Sequence, residues 1–423
     1  MFHIYILLSI LTCYLGIRVS KTFANPLSAF SGIWLTIVLL YQLRLSGLQK
    51  SLNQELYFAL TIVLISFTAV YLFIRWLGDR WLEDGFSIVL EKGAFTSEDR
   101  LGQIASICFA LFVVWLVASV VEVLASGGVP VLWLLTGSSK TYFDFGIPSV
   151  HGFLNALGIL IATVAAYLVF KGNRHKKRML MILAVESLYY LLIISRQVIM
   201  SAALQALVVY VIVNRRSVPY FRLLFVSLFG VVAFGIIGNM RTGYHTFMQV
   251  AELSDSLPPI AAGFYWVYMY LTMTLANLNN LIVQIFEPLG IGYLFQDFIP
   301  SVISRTLEVP YVNGLQYLES IQFNVSGFFA HYFEAFGWIG LIVAGSAYGA
   351  LGGFASSWFD HRPSPVSLLF FAITMQIILL SFFTDLLLYL PVSFQLILAL
   401  LFGPRTCSVV GKICDKMFGT KSL

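Results

Sequence analysis

The sequence predicts an all-α integral membrane protein, a polytopic helix bundle of about eleven transmembrane helices with a large outer-side loop that contains an amphipathic or re-entrant helix. Three observations predict it. Only 11% of residues are charged and 59% are hydrophobic, against about 25% charged in an ordinary soluble domain. The mean hydropathy is +0.88. Apolar runs recur along all 423 residues, most of them close to the length that a ~30 Å hydrocarbon core requires. One membrane domain, 1–423, therefore accounts for the chain, with residues 240–325 as the large loop region within it.

The first run, 1–17, has neither a basic start nor a small-residue cleavage site and reads as a retained span. Asn25-Pro26 marks a turn into the second run, 27–43. Runs at 56–77 and 101–124 follow, separated by a mixed-charge loop from Asp79 to Arg100. Residues 126–149 are irregular, and 151–170 is the fifth run. In the next stretch, basic clusters (Lys171, Arg174, Lys176, Lys177 and Arg178; Arg215, Arg216 and Arg222) flank two apolar legs, 179–194 and 197–213. Basic loops stay cytoplasmic, so both clusters belong on one side and Ser195-Arg196 on the other, at the turn of a hairpin. Such legs reach roughly 25 Å, slightly less than the core, which sinks Arg196 into a recess. A single tilted helix through Arg196 is the alternative, but it would place the clusters on opposite sides. Run 223–237 leads outward to Arg241, and runs 328–354, 366–383 and 387–402 complete the bundle.

Of the 25 Lys and Arg residues, only Arg44, Lys50, Lys140, Arg196, Arg241 and Arg305 fall on the outer side. That bias puts the N-terminus out and the C-terminus in. It also accounts for the net charge of +5 without invoking nucleic acid. Cys13, Cys108, Cys407 and Cys414 lack the paired spacing of a disulfide framework or zinc site. No Walker lysine, His-Glu-x-x-His or Asp-x-Asp pattern occurs, so neither a metal nor a cofactor is expected.

Segment 264–286 is apolar enough to cross, yet one crossing would throw the basic tail outside. Its polar residues Tyr270, Thr274, Asn277, Asn280 and Gln284 share one arc. An amphipathic helix at, or dipping into, the outer interface fits this pattern. An ordinary span with its polar stripe packed on neighbours is the alternative. Run 328–354 is longer than a span needs. Its first turns, with His331 and Glu334 three apart on one face, should stand clear of the bilayer. Further in, Gly345, Gly349 and Gly353 form a small-residue ridge suited to helix packing.

The outer side thus collects Arg196, Arg241, His245, Glu252, Arg305, His331 and Glu334. Guanidinium forks bind phosphate oxygens bidentately, and a His or Glu beside them could take a proton from a hydroxyl. Aromatics and amides along 264–286 suit sugar rings. The combination points to a lipid-linked phosphate with a polar headgroup. Each residue also has a plainer reading. Arg196 could snorkel at its turn, Arg241 could end its helix, His331 could be a satisfied interfacial histidine, Glu334 could sit in a structural pair, and Arg305 could be a solvated loop charge. His245 and Glu252 are set aside.

Several stretches follow one another in a characteristic order. They are Asn25-Pro26 ahead of the Trp34 span, and Gly127-Gly128-Val129-Pro130 leading to Tyr142-Phe143-Asp144-Phe145-Gly146-Ile147-Pro148 and His151-Gly152. Ser195-Arg196, Asn239-Met240-Arg241, Tyr268-x-Tyr270 with Asn277, and Asn324 through Phe336-Gly337-x-x-Gly340 complete the series. In these the chain resembles, over nearly its whole length, the bacterial oligosaccharide repeat unit polymerases, the O-antigen polymerase (Wzy-type) family. The arginine-to-glycine spacing of some members is missing, since Leu207 stands eleven residues after Arg196.

The resemblance implies a multi-pass bacterial inner-membrane enzyme with a periplasmic N-terminus, a cytoplasmic C-terminus and a periplasmic active site. It would be a metal-independent, GT-C-like glycosyltransferase of lipopolysaccharide-type polysaccharide biosynthesis. The expected substrates are undecaprenyl-diphosphate-linked oligosaccharides within membrane lipid, and a chain-length regulator is the expected protein partner. On that reading Arg196 and Arg241 stabilise the leaving diphosphate, and His331 or Glu334 is the base. Tyr270, Asn277 and Asn280 contact sugar, and Arg305 helps to hold the second lipid diphosphate. An O-antigen ligase-type enzyme and a lipid-linked oligosaccharide flippase or other transporter are the alternatives. Loss of chain length or loss of attachment to the lipid A core in a deletion separates polymerase from ligase. Elongation in vitro without a gradient excludes a transporter.

Overall fold

The computed structural model describes residues 1–84, 98–214, 243–253 and 261–403, with scattered positions between 221 and 239. Arg241, the cluster Arg215, Arg216 and Arg222, most of run 223–237, and the tail beyond 403 lie outside the described residues. Every regular element among the described residues is helical.

Helix α1 (Phe2–Ser20) turns into α2 (Pro26–Tyr41) at the expected place. Asn25 caps α2 by accepting the Ser28 amide at 2.8 Å, and Pro26 opens the helix, where a missing N–H costs nothing. Next come α3 (Gln54–Asp84), α4 (Glu98–Ser126), the short α5 (Pro130–Thr136), α6 (Val150–Phe170), α7 (Lys176–Leu192) and α8 (Arg196–Val213). The long connection to the last helices holds α9 (Tyr244–Val250), α10 (Ala262–Ile282), α11 (Ile291–Phe295), α12 (Ser301–Thr306) and α13 (Ala330–Phe336). Helices α14 (Trp338–His361), α15 (Pro365–Leu379) and α16 (Leu390–Ala399) follow.

Among the described residues, six stretches are long and apolar enough to cross a membrane: Phe2–Ser20, Gln54–Arg80, Glu98–Thr136, Val150–Phe170, Arg196–Val213 and Trp338–His361. Pro26–Tyr41, Pro365–Leu379 and Leu390–Phe402 are apolar but shorter. Followed in order, these helices sort the connections onto two ends of the bundle. One end, the basic face, carries Lys21, Arg80, Arg100, the 171–178 cluster and Arg362. The other, the loop face, carries residues 42–53, 127–149, 193–195, 243–253, 261–337 and 380–389.

The most extensive helix pair is α3 with α14. The ridge Gly345, Gly349 and Gly353 meets Val63, Phe67 and Tyr71 in the same four-residue steps, so the two helices run parallel. A Cβ on Gly349 would run into the Phe67 carbonyl, and one on Gly353 would sit 2.7 Å from the Tyr71 carbonyl oxygen. Packing is therefore what the ridge does. At the basic face, Arg75 pairs with Asp360 at 2.7 Å, and His361 Nε2 lies 2.8 Å from Asp79 Oδ1.

A buried amide network fastens α6, α8, α15 and α16. Thr163 Oγ1 donates to Gln205 Oε1 at 2.7 Å, and Gln205 Nε2 donates to Gln376 Oε1 and, at 2.7 Å, to Gln395 Oε1. Gln376 Nε2 in turn donates to Ser201 Oγ at 2.7 Å. Unmet amides in apolar surroundings are costly, so these bonds fix the mutual register of four helices.

The expected hairpin is formed by α7 and α8. The turn between them excludes a single helix through Arg196, because Ile194 takes a left-handed φ of 55°. Two expectations change. Run 328–354 is two helices: Gly337, at φ 60° and ψ −141°, adopts a conformation closed to L residues and separates α13 from α14. The last two runs stop short of each other. Helix α15 ends at Leu379 and α16 begins at Leu390, with Pro391 in its first turn. Helix α10 packs along the loop face, on the side where the sequence places an amphipathic helix. Tyr268 near its start accepts the Leu45 amide at 3.2 Å, and Asn279 near its end accepts the Asn53 amide at 2.7 Å. Both partners belong to one loop-face connection, so α10 lies along that face, and most of its residues are buried there.

Candidate functional site

The end of α7 is closed by Ser195 N donating back to Tyr190 O at 3.0 Å, the bond that a left-handed residue permits. Arg196 therefore becomes the first residue of α8, with a half-buried side chain. Its charge adds to the unfilled N–H groups that begin the helix. The guanidinium carbon lies 6.0 Å from the Trp266 ring centre. Trp266 stacks on Phe247 at 4.0 Å and on Tyr270 at 6.0 Å, and its Nε1 donates to Asn239 Oδ1 at 3.0 Å. Tyr270 meets Phe323 at 6.0 Å and Phe383 at 5.8 Å. An aromatic tier thus leads from Arg196 to the break between α15 and α16.

The polar arc of α10 forms as expected, but what it faces is the protein's own loop. Thr274 Oγ1 donates to Phe382 O at 2.8 Å. Asn277 Nδ2 donates to Phe323 O at 2.8 Å and Val325 O at 2.7 Å, and its Oδ1 accepts the Glu319 amide at 2.9 Å. Asn280 Nδ2 donates to Tyr317 O at 3.2 Å and Glu319 Oε2 at 2.9 Å. Just past the helix, Gln284 Nε2 donates to Gln316 O at 3.1 Å, and Lys50 pairs with Glu319 at 2.5 Å. Asn277 is fully buried. The amides expected to meet sugar therefore strap residues 316–325 onto α10. Tyr270 remains half-buried at the edge of the tier. Arg305 is exposed on α12, which is anchored to the 127–149 connection by Val302 N donating to Ser149 Oγ at 3.2 Å.

The break at 380–389 is built in rather than frayed. Ser381 O accepts the Phe328 amide at 2.7 Å, and Ser381 Oγ accepts Trp34 Nε1 at 2.9 Å. Asp385, in the middle of the break, is 6% exposed. Its Oδ1 accepts the Tyr348 hydroxyl at 2.8 Å and the Leu387 amide at 3.0 Å, which replaces helix bonding. Its Oδ2 is buried, and the Tyr332 hydroxyl also faces the carboxyl. Burial pushes the carboxyl up to about 6, working against the Tyr348 bond and the nearby His331. His331 is half-buried on α13, its ring 5.9 Å from that of Tyr293. Glu334, one turn on, is buried, and both its oxygens are engaged: Oε2 accepts the Tyr293 hydroxyl and Oε1 the Leu315 amide, each at 2.7 Å. Burial raises its carboxyl, partly offset by those two bonds and by His331.

The structure thus brings Arg196, Tyr270 and His331 to one side of the bundle, together with Asp385. It gives Asn277, Asn280 and Glu334 bonding tasks within the loop. The sequence reading passed over Asp385, although a signal was there: it is the lone charged residue between Arg362 and Arg405, and such a residue in an apolar stretch is costly to keep. Among the described residues, no group of three His, Cys, Asp or Glu side chains could hold a metal ion. Compared with family models, curated proteins and solved structures, the chain matches none.

Proposed function

We propose that this protein is a polysaccharide polymerase, a glycosyltransferase that joins undecaprenyl-diphosphate-linked repeat units at its loop face. In this proposal the loop face is the periplasmic face of a bacterial inner membrane, and about eleven spans cross it. The bias of Lys and Arg toward the opposite, basic face supports that orientation. The observation that carries the reading is the pairing, on one face, of a half-buried arginine at a helix N-terminus with a buried carboxylate, Asp385, set among Tyr332, Tyr348 and His331. An aromatic tier joins the two.

Such a site separates the two charges that glycosyl transfer generates. The acceptor hydroxyl oxygen bonds to the anomeric carbon of the growing chain as the bond from that carbon to diphosphate breaks. The electron pair leaves on the diphosphate oxygen, where Arg196 meets it, with Arg241 as the expected second fork. The hydroxyl proton passes to Asp385 Oδ2, and His331 stands beside it as the other acceptor. Both oxygens of Glu334 already hold partners, which suits it to shaping the pocket around Tyr293. Tyr270 offers its ring to sugar, and Arg305 a charge to the second lipid diphosphate. A chain-length regulator is the proposed protein partner. The test is elongation by the purified protein in nanodiscs, given a lipid-diphosphate-linked oligosaccharide and no gradient. A ladder of products that vanishes in Arg196→Ala supports the reading. A ladder from Arg196→Ala equal to that of the wild type refutes it.

A further inference from the structure

Among the described residues, one group of buried polar side chains lies between α4, α6 and α7. Both Glu186 oxygens of α7 and Asn155 Oδ1 of α6 lack hydrogen bonds there, beside the Tyr190 hydroxyl of α7, which faces Trp115 Nε1 of α4, and Ser119 Oγ of α4, which faces the Tyr189 hydroxyl. Trp115, Ser119, Asn155, Glu186 and Tyr190 are at most 7% exposed, and Glu186 is 2% exposed. Their spacing explains the gathering. Trp115, Ser119 and Glu122 share one face of α4, Glu186 and Tyr190 one face of α7, and Asn155 and Gly158 one face of α6. The three helices pack on one another. Gly158 makes room: a Cβ there would run into the Tyr190 hydroxyl and sit 2.9 Å from Trp115 Nε1.

Toward the loop face the seam ends in bonded groups. Glu122, fully buried, accepts Tyr189 OH at 2.9 Å and the Ile147 amide at 3.2 Å, and its Oε1 lies 3.1 Å from His151 Nδ1. The His151 side chain is 30% exposed. Toward the basic face, Cys108 lies beside Glu186. The titratable groups that face the seam are therefore Cys108 and Glu122 of α4, His151 of α6, and Tyr189 and Tyr190 of α7. Helix α5 carries none, and the others on α6 and α8 are Tyr167, Arg196 and Tyr210.

An ionised carboxylate with no partner, enclosed by membrane helices, is far costlier than its neutral acid. A protonated Glu186 supplies one donor. The Glu186 oxygens and Asn155 Oδ1 are acceptors of the kind that buried waters, with two to four partners each, satisfy. We propose that α4, α6 and α7 enclose a proton-binding site. Glu186 holds the proton as a neutral acid and exchanges it with the loop face through buried water, Tyr190, Ser119 and the Glu122–His151 pair. Each transfer moves one proton between a carboxylic acid and water and needs no other reactant. A proton travelling this route crosses part of the membrane field, so the occupancy of Glu186 responds to the transmembrane potential. The site is separate from the transfer chemistry and does not rest on it.

The experiment is infrared difference spectroscopy on the purified full chain at pH 7.5, in water and in heavy water. The expected result is a carboxylic-acid carbonyl band that shifts in heavy water and is lost in Glu186→Gln. Glu122→Gln should slow its isotope exchange at least tenfold. Tyr190→Phe, which keeps Glu186, should move the band and gives a readout should Glu186→Gln not fold. No acid band at pH 7.5, a band unchanged in Glu186→Gln, or an unmoved band in Tyr190→Phe would each overturn the proposal. Exchange as fast in Glu122→Gln as in the wild type would overturn the route.

Discussion

Asp385→Asn replaces the ionisable carboxyl with an amide and keeps the side chain's size and its oxygen toward Tyr348. Two consequences follow from a carboxyl held at about 6 by burial. On activity, such a group is about nine-tenths ionised at pH 7 and about one-tenth at pH 5, so the elongation rate should fall about tenfold between them. The Asn variant should lose about 10²- to 10⁴-fold of that rate, the usual range for a positioned base, and its residual activity should not follow the acid limb. On stability the sign is opposite. The folded carboxyl stands above its ordinary value of 3.8, so its contribution is fully favourable below that value and is lost as pH rises through about 6. The ceiling on that loss is about 3 kcal/mol, from roughly two pH units at 1.36 kcal/mol each. Asp385→Asn should therefore melt higher than wild type at pH 8 and equal to it near pH 4. The assays are product-ladder kinetics against pH and thermal unfolding of the same preparations. A variant with the wild-type rate and the wild-type acid limb, or one equally destabilised at pH 4 and pH 8, would refute the role given to Asp385.

Other variants probe the scaffold. Gln205→Leu leaves Thr163, Gln376 and Gln395 without their shared partner; at about 0.6–1.7 kcal/mol per interhelical bond, loss of the three should shift unfolding in detergent by about 2–5 kcal/mol, and an unchanged midpoint would contradict the network's role. Gly349→Leu drives a side chain into the Phe67 carbonyl and should cost at least the ~1–3 kcal/mol typical of overpacking, seen as lost expression or a lowered melting point. Asn277→Ala removes both carbonyl straps, so limited proteolysis should cut 316–325 faster while the helices beneath stay protected. Arg196→Lys keeps the charge but loses the fork and should retain a small part of the elongation rate, whereas Arg196→Ala should retain none.

The helices were legible because length and apolar content alone decide them, and the α7–α8 hairpin because two basic clusters had to share a side. The breaks were not. Residues 380–389 are as apolar as the helices beside them, and the run is interrupted by tertiary bonds: Ser381 to Trp34 and Phe328, and Asp385 to Tyr348. Gly337 looked like one more small residue in a glycine-rich run, and its positive φ is invisible in composition. The arc on α10 was read correctly as an arc. Its occupant was not readable, because an amide that bonds a sugar hydroxyl and one that bonds a backbone carbonyl have the same spacing. The buried polar group around Glu186 was out of reach for a related reason: Trp115, Asn155 and Glu186 meet only when α4, α6 and α7 pack.

The central claim is that the face bearing Arg196 and Asp385 is the extracytoplasmic one. With the four native cysteines replaced by serine, single cysteines at Ser138→Cys on the loop face and Phe23→Cys on the basic face can be labelled in intact cells with a membrane-impermeant maleimide; both positions are exposed. The account predicts labelling at 138 in intact cells and at 23 only after permeabilisation. Labelling at 23 in intact cells, with 138 protected until the membrane is opened, would contradict it.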